Sequence, residues 1–500
     1  MAEFVELGAD PAGTPLSIED VARVAREGAE VRIADAARER IARGRERLEE
    51  LVERGERIYG VNTGVGGNVG LSVPPEKMDL LQLNLLRHLG CATGQPLPND
   101  VVRAATLLRA ATFATGASAV RPEVVDALAA LLNRGVTPVV PRYGSVGASG
   151  DLMPSAYIAR VLVGQGEAEF QGRRLAAVEA LEAAGLRPIR LAPKEGLALI
   201  NGTTVMTAVA SLLWIDAFRV LRALLGAVAL SVEAMQSPDL PFEPWVHQKK
   251  GHPGQIAVAA YLRGMLEGSG YTQPSGGQSC YSLRCAPQGL GQVWEALEDG
   301  RAVVEREINS ANDNPLIDPE TGRMYKAGNF YGGHIARLLD TWKIDFASMA
   351  NWGNALVAVL VDDRFNQGLP ANLTPEPGLN SGFKGMQLSV TSLACAVRQM
   401  AGPSSIHSLP TEQYNQDVVS LGMHAWVTAM DALECLRNET AMVLLAAAQA
   451  VDLRGGPARL GSGSRRVHAA VRQLARFQDR DRSMEHEVAA VSVKIAAGEV

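Results

Sequence analysis

The 500 residues leave room for about three average domains, and 47% hydrophobic against 20% charged residues supply a large core and exclude disorder as the governing theme. Lys and Arg number 48 against 54 Asp and Glu, a formal net charge of -6, so the basic footprint of a general nucleic-acid binder is missing. Aromatic residues make up only 5% while glycines number 50, which favours close-packed helices over β-sandwiches and leaves the glycines for turns or for backbone that needs unusual freedom.

The N-terminus, Met1-Ala-Glu-Phe-Val-Glu6, has no basic region followed by an apolar stretch, so a cytoplasmic location is expected. Ser17-Ile-Glu-Asp20 has the form of a capping box and opens an amphipathic helix through Val21, Val24 and Ala25. Helical patterning then runs to about Arg54, with a gap near Gly28. Further helices are predicted over 101–116 and 123–134, the second opened by Arg121-Pro122 and followed by Gly135. Strand candidates are few: 4–7, 137–140 and 167–170. The longest uncharged run, 196–215, contains a turn at Asn201-Gly-Thr-Thr204 and is followed by Asp216 and Arg219, so a buried helix is expected rather than a membrane span.

From about Thr203 the pattern changes to long apolar helices over 204–235, 289–310, 333–361, 383–401, 416–452 and 465–477. They are too broadly apolar for one stripe, which predicts burial on several sides in a central bundle shared between subunits. Polar, Gly-rich segments occupy 59–70, 143–151, 270–280, 326–333 and 366–382. The expected protein is mainly α, with a smaller mixed N-terminal domain over 1–200 and a long-helix bundle and oligomerisation domain over 201–500. Cys91, Cys280, Cys285, Cys395 and Cys435 form no CxxC pair, and the histidines lack ligand spacing, so neither a disulfide frame nor a metal site is expected.

Tyr143-Gly-Ser-Val-Gly-Ala-Ser-Gly-Asp151 is the most unusual stretch. It lacks the GK[ST] of a phosphate-binding loop, and Ser149 does not stand within G-x-S-x-G. Two readings remain. One is a flexible loop capping a helix that begins near Asp151. The other is a turn in which the Gly150 amide nitrogen attacks the Ala148 carbonyl; loss of water, including the Ser149 hydroxyl, would leave a 4-methylidene-imidazol-5-one (MIO) electrophile. Glycine at the attacking position removes side-chain crowding and tolerates strained backbone.

Six motifs, one of them within that stretch, occur in a fixed order. They are Tyr59-Gly-Val-Asn-Thr-Gly-Val-Gly66, Gly147-Ala-Ser-Gly-Asp-Leu152, Leu199-Ile-Asn-Gly-Thr203, Tyr281-Ser-Leu-Arg-Cys285, Glu307-Ile-Asn-Ser-Ala-Asn-Asp-Asn-Pro315 and Asn415-Gln-Asp417. Together they closely resemble the histidine/phenylalanine/tyrosine ammonia-lyase family over nearly the whole chain. The resemblance implies a mainly helical ammonia-lyase (fumarase/aspartase-like) architecture and a homotetramer whose active sites are shared between chains. It also implies removal of ammonia from an aromatic α-amino acid without metal or external cofactor. Ala148, Ser149 and Gly150 would form the MIO group. A helix starting after them would turn its positive end toward it. Tyr59 matches the base, and its phenol, with an ordinary pKa of about 10, needs nearby positive potential to act. Gly66, with Gly60 and Gly64, would shape the loop that carries Tyr59. Arg284 would hold the substrate carboxylate as a fork, assisted by Asn314. Tyr281 and Asn201 would flank the electrophile, with Asn201 also stabilising an oxyanion. Glu412 and Gln416 fall at amine-side positions, while Glu412 and Asn329 suit helix-terminus roles equally well. Phe330 would face the electrophile or fill core.

Two local signals bear on the substrate. Asn415-Gln-Asp417 resembles aromatic-acid lyases, whereas histidine lyases usually carry Gln-Glu-Asp, and neutral Gln416 offers no specific partner for an imidazolium. His88-Leu89 resembles the selectivity pair of tyrosine-using lyases: His88 hydrogen-bonds a phenol, and leaving it unpaired penalises phenylalanine. The expectation is tyrosine deamination to p-coumarate, with phenylalanine to cinnamate as a secondary activity. A phenylalanine-preferring lyase and a tyrosine or phenylalanine 2,3-aminomutase, which returns ammonia to the β-carbon, are the alternatives. The lid segment 267–280 is short and carries Ser279 where an Asp commonly stands, which favours product release. A non-catalytic assembly protein on the same scaffold is disfavoured because Tyr59, Ser149 and Arg284 are all intact.

Overall fold

The capping box forms: the Asp20 amide donates to Ser17 Oγ and the Ser17 amide to the Asp20 carboxylate, each at 3.1 Å, opening helix Ile18–Ala22. The computed structural model describes residues 4–8, 15–273 and 278–500. A π-helical turn, Arg23–Glu27, ends at left-handed Gly28. The helical patterning expected to reach Arg54 is then interrupted by strand Glu30–Ile33, which pairs in parallel with Phe4–Leu7. Val31 and Ile33 point inward and Glu30 and Arg32 outward, a period-two pattern too short to stand out beside helix Asp35–Glu53. The strand expected over 137–140 is cut to Thr137–Pro138, which pairs with Glu167–Phe170; the chain then bends into Pro141–Tyr143, paired with Thr93–Pro96.

The protein is mainly helical. The long helices are Thr204–Ala234, Ala286–Ile308, Gly333–Val361, Lys384–Met400, Gly422–Arg454 and Ser462–Leu474. Gly422–Arg454 starts later than its apolar pattern, directly after Leu421, whose φ of 51° is left-handed. Helices Pro253–Leu266 and Glu485–Ala497 add to the expected set.

Two compact units form, and neither is continuous in sequence. Met1–Leu212, Arg301–Leu339 and Pro403–Val427 make one; Leu213–Gly300, Asp340–Gly402 and Thr428–Val500 make the other. The sequential division at residue 200 therefore differs from the physical one. At four of its five crossings the chain passes between units inside a long helix, and a change in helix length does not mark such a crossing.

In the first unit, helix Asn99–Ala114 is buried along most of its length, with Ala104, Leu107, Leu108, Ala110 and Phe113 all at 1% exposure or less. Small residues among them let neighbouring elements approach from several sides. In the second unit, helix Lys384–Met400 departs from the expected all-round burial: Val390, Ala394 and Val397 are buried, but Leu388 is 68% exposed. Gly333–Val361 is long and apolar enough to cross a membrane. Within it, however, Lys343 and Asp340 form a buried ion pair at 2.9 Å, as suits a helix packed in protein.

Glu439 of the second unit is 1% exposed. Burial pushes its pKa from 4.5 up to about 9, opposed by the Asn354 amide and the Arg398 charge. The unfolded chain ionises this group from pH 4.5 upward while the folded chain keeps it protonated, so stability falls as pH rises between 4.5 and about 9. Thermal melts should show Glu439→Gln matching the parent below pH 4.5 and exceeding it increasingly toward pH 9.

Candidate active site

Three helices have their starts in the first unit, around the 145–151 loop. Leu152–Leu162 follows it directly, Thr204–Ala234 starts just after Gly202, and Gly422–Arg454 starts beside Gly147. Their amino-terminal ends carry positive partial charge. Ser145 Oγ accepts from the Gly147 amide at 3.1 Å and donates to the Gly150 carbonyl at 3.0 Å. Ser420 Oγ donates to the Gly147 carbonyl at 3.3 Å. The Gly202 amide donates to the Ser149 carbonyl at 3.1 Å, and the Asp151 amide donates to the Gly202 carbonyl at 2.7 Å. Gly202 thus grips the peptide groups on both sides of the Gly150 Cα. Gly150 and Gly202 have φ of 73° and 136°. A Cβ on Gly150 would lie 1.9 Å from the Gly202 carbonyl oxygen, and one on Gly202 would lie 2.1 Å from that of Asn312. Only glycine fits either place.

Ala148 and Ser149 face a cavity of about 560 Å³, within the range of small-molecule sites. Its lining, all within the first unit, brings together Tyr59, Gly66, His88, Leu89, Asn201, Asn314, Phe330, Glu412 and Gln416. Gly150 stands behind the surface. Asn329 instead anchors a loop, its Nδ2 donating to the Ala311 carbonyl at 3.1 Å. Tyr281 and Arg284 lie in the second unit and line another cavity there with Gln278; the Arg284 guanidinium sits 4.7 Å from the Tyr281 ring centre. Of the expected lid, residues 274–277 lie outside the described residues.

The chain matches the aromatic amino acid lyase family model over residues 16–473. It belongs to the aromatic amino acid lyase family. A histidine ammonia-lyase of Anaeromyxobacter sp. (strain K) is 40% identical, over 97% of this chain and 98% of its own. The solved structure of Pantoea agglomerans phenylalanine aminomutase has a TM-score of 0.94 at 33% identity, covering 99% of this chain and 98% of its own. Tyrosine aminomutase from Streptomyces globisporus has the same TM-score at 34% identity, covering 99% and 97%.

In this lyase-family chain Tyr59 is held by its own loop, the Gly66 amide donating to its Oη at 2.8 Å. Its pKa is raised: burial dominates, the Gly66 amide opposes, and the Glu412 charge adds to the rise. The expected positive potential is therefore not what these side chains supply; the lining contains Glu412 and Asp417 and no Lys or Arg. Glu412 is no mere helix-terminus residue. Its carboxylate accepts from the Gly67 amide at 2.9 and 3.2 Å, and a Cβ on Gly66 would lie 2.2 Å from its Oε2. Asn201 Nδ2 donates to the Asn314 carbonyl at 2.9 Å, while its buried Oδ1 has no partner among the described residues. The Asn314 side chain is a loop anchor, its Oδ1 accepting from the Ala327 amide at 2.8 Å.

His88 ends helix Met78–His88, with Nδ1 3.1 Å from the Asn84 carbonyl oxygen. A carbonyl only accepts, so Nδ1 carries a proton, and in the neutral tautomer Nε2 is then an acceptor. Two residues of this region had no motif to mark them. Tyr331 lines the cavity beside Phe330. Gln82, fully buried on the helix that ends at His88, donates from Nε2 to the Gly60 carbonyl at 2.8 Å and accepts from the Leu197 amide at 3.1 Å. It ties the Tyr59 loop to the helix leading to Asn201. Replacing it with Leu strands two buried backbone groups, so Gln82→Leu should lower the free energy of unfolding by about 3 kcal/mol in denaturant titration.

Proposed function

We propose that this protein deaminates L-tyrosine to p-coumarate and ammonia, with L-phenylalanine to cinnamate as the poorer reaction. The observation that carries the reading is the convergence of Tyr59, Ser149 and the His88-Leu89 pair on one cavity. Ala148, Ser149 and Gly150 fit the MIO group: the turn is gripped on both sides of Gly150, and no Cβ stands between the Gly150 nitrogen and its target. Once formed, that group supplies an electrophile that makes the substrate amine a leaving group.

The chain's own residues then divide the remaining work. Tyr59, ionised, takes the β-proton onto Oη, and the Gly66 amide stabilises the phenolate. His88 Nε2 accepts a hydrogen bond from the substrate phenol, beside apolar Leu89. Asn201, with its unpartnered buried Oδ1, and Gln416 meet the polar end of the substrate. The cavity lining holds two carboxylates and no Lys or Arg, so it offers no cationic side chain to a substrate carboxylate. Arg284, with Tyr281, supplies that contact from another subunit of a homotetramer, where its fork matches a carboxylate. The reading needs no metal, external cofactor, membrane or nucleic acid.

The 40% identity to a histidine ammonia-lyase favours a histidine substrate, and the similarity to two aminomutases favours ammonia return to the β-carbon. Product analysis with tyrosine, phenylalanine and histidine side by side separates these. Coumarate with equimolar ammonium from tyrosine supports the proposal; β-tyrosine, or turnover of histidine alone, sinks it. In His88→Phe the tyrosine-to-phenylalanine ratio of kcat/KM should fall about tenfold or more, because the phenol loses its acceptor. The pH profile gives a further check. Burial and the Glu412 charge hold the Tyr59 pKa above its ordinary value, so kcat/KM should rise with alkaline pH. Glu412→Gln removes one raising influence, and the rising limb should move to lower pH.

A further inference from the structure

Beneath the Gly150 turn, outside the cavity lining, lies a guanidinium that the chemistry above does not use. Arg109, on helix Asn99–Ala114, is 2% exposed. Its Nη1 donates to the Asn201 carbonyl at 2.9 Å and its Nη2 to Thr204 Oγ1 at 3.2 Å. These two acceptors bracket the Gly202-Thr203 turn, so one planar fork fixes both its ends. Asn312, 3% exposed, holds the turn from another side, its Oδ1 accepting from the Thr203 amide at 3.2 Å. Gly202, between these holds, is the residue that grips Ser149 and Asp151.

Placing a guanidinium here is expensive. Burial lowers its pKa to about 10, and the Asp313 and Asp151 carboxylates only partly offset the cost. Asp313 is also shared with Lys194, at 2.6 Å and with both side chains at 0% exposure. An apolar side chain of similar volume often serves stability as well as a buried ion. A residue held on these terms calls for a task that packing alone does not perform, and its two hydrogen bonds point at the turn that shapes the Ala148–Gly150 loop.

We propose that Arg109 is a positioning residue for ring closure: it rigidifies the 201–204 turn so that Gly202 keeps the Gly150 nitrogen against the Ala148 carbonyl carbon. The proposal rests on the reading that Ala148, Ser149 and Gly150 cyclise. In that closure the Gly150 nitrogen bonds to the Ala148 carbonyl carbon. The carbonyl oxygen leaves as water with the amide hydrogens of Gly150 and Ser149, forming the ring C=N bond. The Ser149 hydroxyl leaves as a second water with the Ser149 α-hydrogen, forming the exocyclic C=C bond. No electrons are gained or lost, and Arg109 exchanges no atom.

The test follows intact mass over time after cell-free synthesis of the parent chain, Arg109→Lys and Arg109→Met, reading only molecules that show a cooperative melt. The parent should lose the mass of two waters. Folded Arg109→Met should retain that mass, and Arg109→Lys should convert about tenfold more slowly, equivalent to ~1.4 kcal/mol of lost orientation. A purely structural Arg109 would lower the melting temperature yet leave every folded molecule dehydrated at the parental rate, and that result overturns the proposal. If Arg109→Met yields no folded protein, Arg109→Lys decides, and its conversion at the parental rate is equally fatal. A parent chain that keeps both waters refutes the cyclisation reading instead.

Discussion

The site depends on a contact between two stretches of bare backbone. Gly150 and Gly202 approach until the Gly202 carbonyl oxygen occupies the place where a side chain on residue 150 would begin, and Gly202 itself presses on Asn312. Glycine is costly to order in the folded chain, by up to about 1 kcal/mol relative to alanine, and both positions also need left-handed or extended-positive φ. That cost makes sense only if the approach does something that a looser loop would not. It draws the starts of helices Leu152–Leu162 and Thr204–Ala234 to one point. It also turns Asp151 away from its own helix: the buried carboxylate accepts from the Met206 amide at 2.8 Å and so caps the neighbouring helix. Burial lifts the Asp151 pKa to about 7, a sign of how completely the loop's underside is removed from water.

The same contact explains what the sequence revealed and what it concealed. The motif Gly147-Ala-Ser-Gly-Asp-Leu152 and the turn Asn201-Gly-Thr203 stand out because chemistry and close approach leave little choice of residue. Long apolar helices stand out because their hydrophobicity extends over many turns. Strand Glu30–Ile33 does not, since four alternating residues carry too little signal beside a 19-residue helix. Arg109 and Gln82 are also silent in the sequence: each is an ordinary polar residue in a helical run, and only burial with particular backbone partners gives it meaning. The discontinuous units were hidden for a related reason. Arg301–Leu339 and Pro403–Val427 return to the first unit through tertiary packing, which leaves no compositional trace.

Electrostatics marks a deeper gap between motif and site. From the motif alone, Tyr59 needs a positive neighbour. The folded chain instead sets beside it a carboxylate 345 residues away from the amide it binds, and the phenol shifts upward. The two facts are compatible if the loop is organised for two tasks. Glu412 ties down Gly67 and forces glycine at residue 66, and that same Gly66 presents its amide to Oη. In the proposed mechanism, the anion that raises the pKa is thus the anchor for the donor that stabilises the phenolate. Geometry and basicity are coupled through one glycine, and a base with a high pKa, once ionised, is also the stronger proton acceptor.

Substrate choice sits at a different scale from any of this. Proteins named for histidine, phenylalanine and tyrosine chemistry share this chain's family or fold, two of them with a TM-score of 0.94, so backbone architecture does not discriminate among them. Discrimination has to come from side chains that line the cavity away from the Gly150 turn. The proposed function gives that task to His88, whose Nδ1 faces the Asn84 carbonyl and whose Nε2, in the neutral ring, is then a lone-pair acceptor. An acceptor of that kind rewards a phenol, which brings a donor, and leaves a phenyl ring facing an unsatisfied nitrogen. In the proposed function, selectivity is set by which hydrogen bond the helix end leaves open.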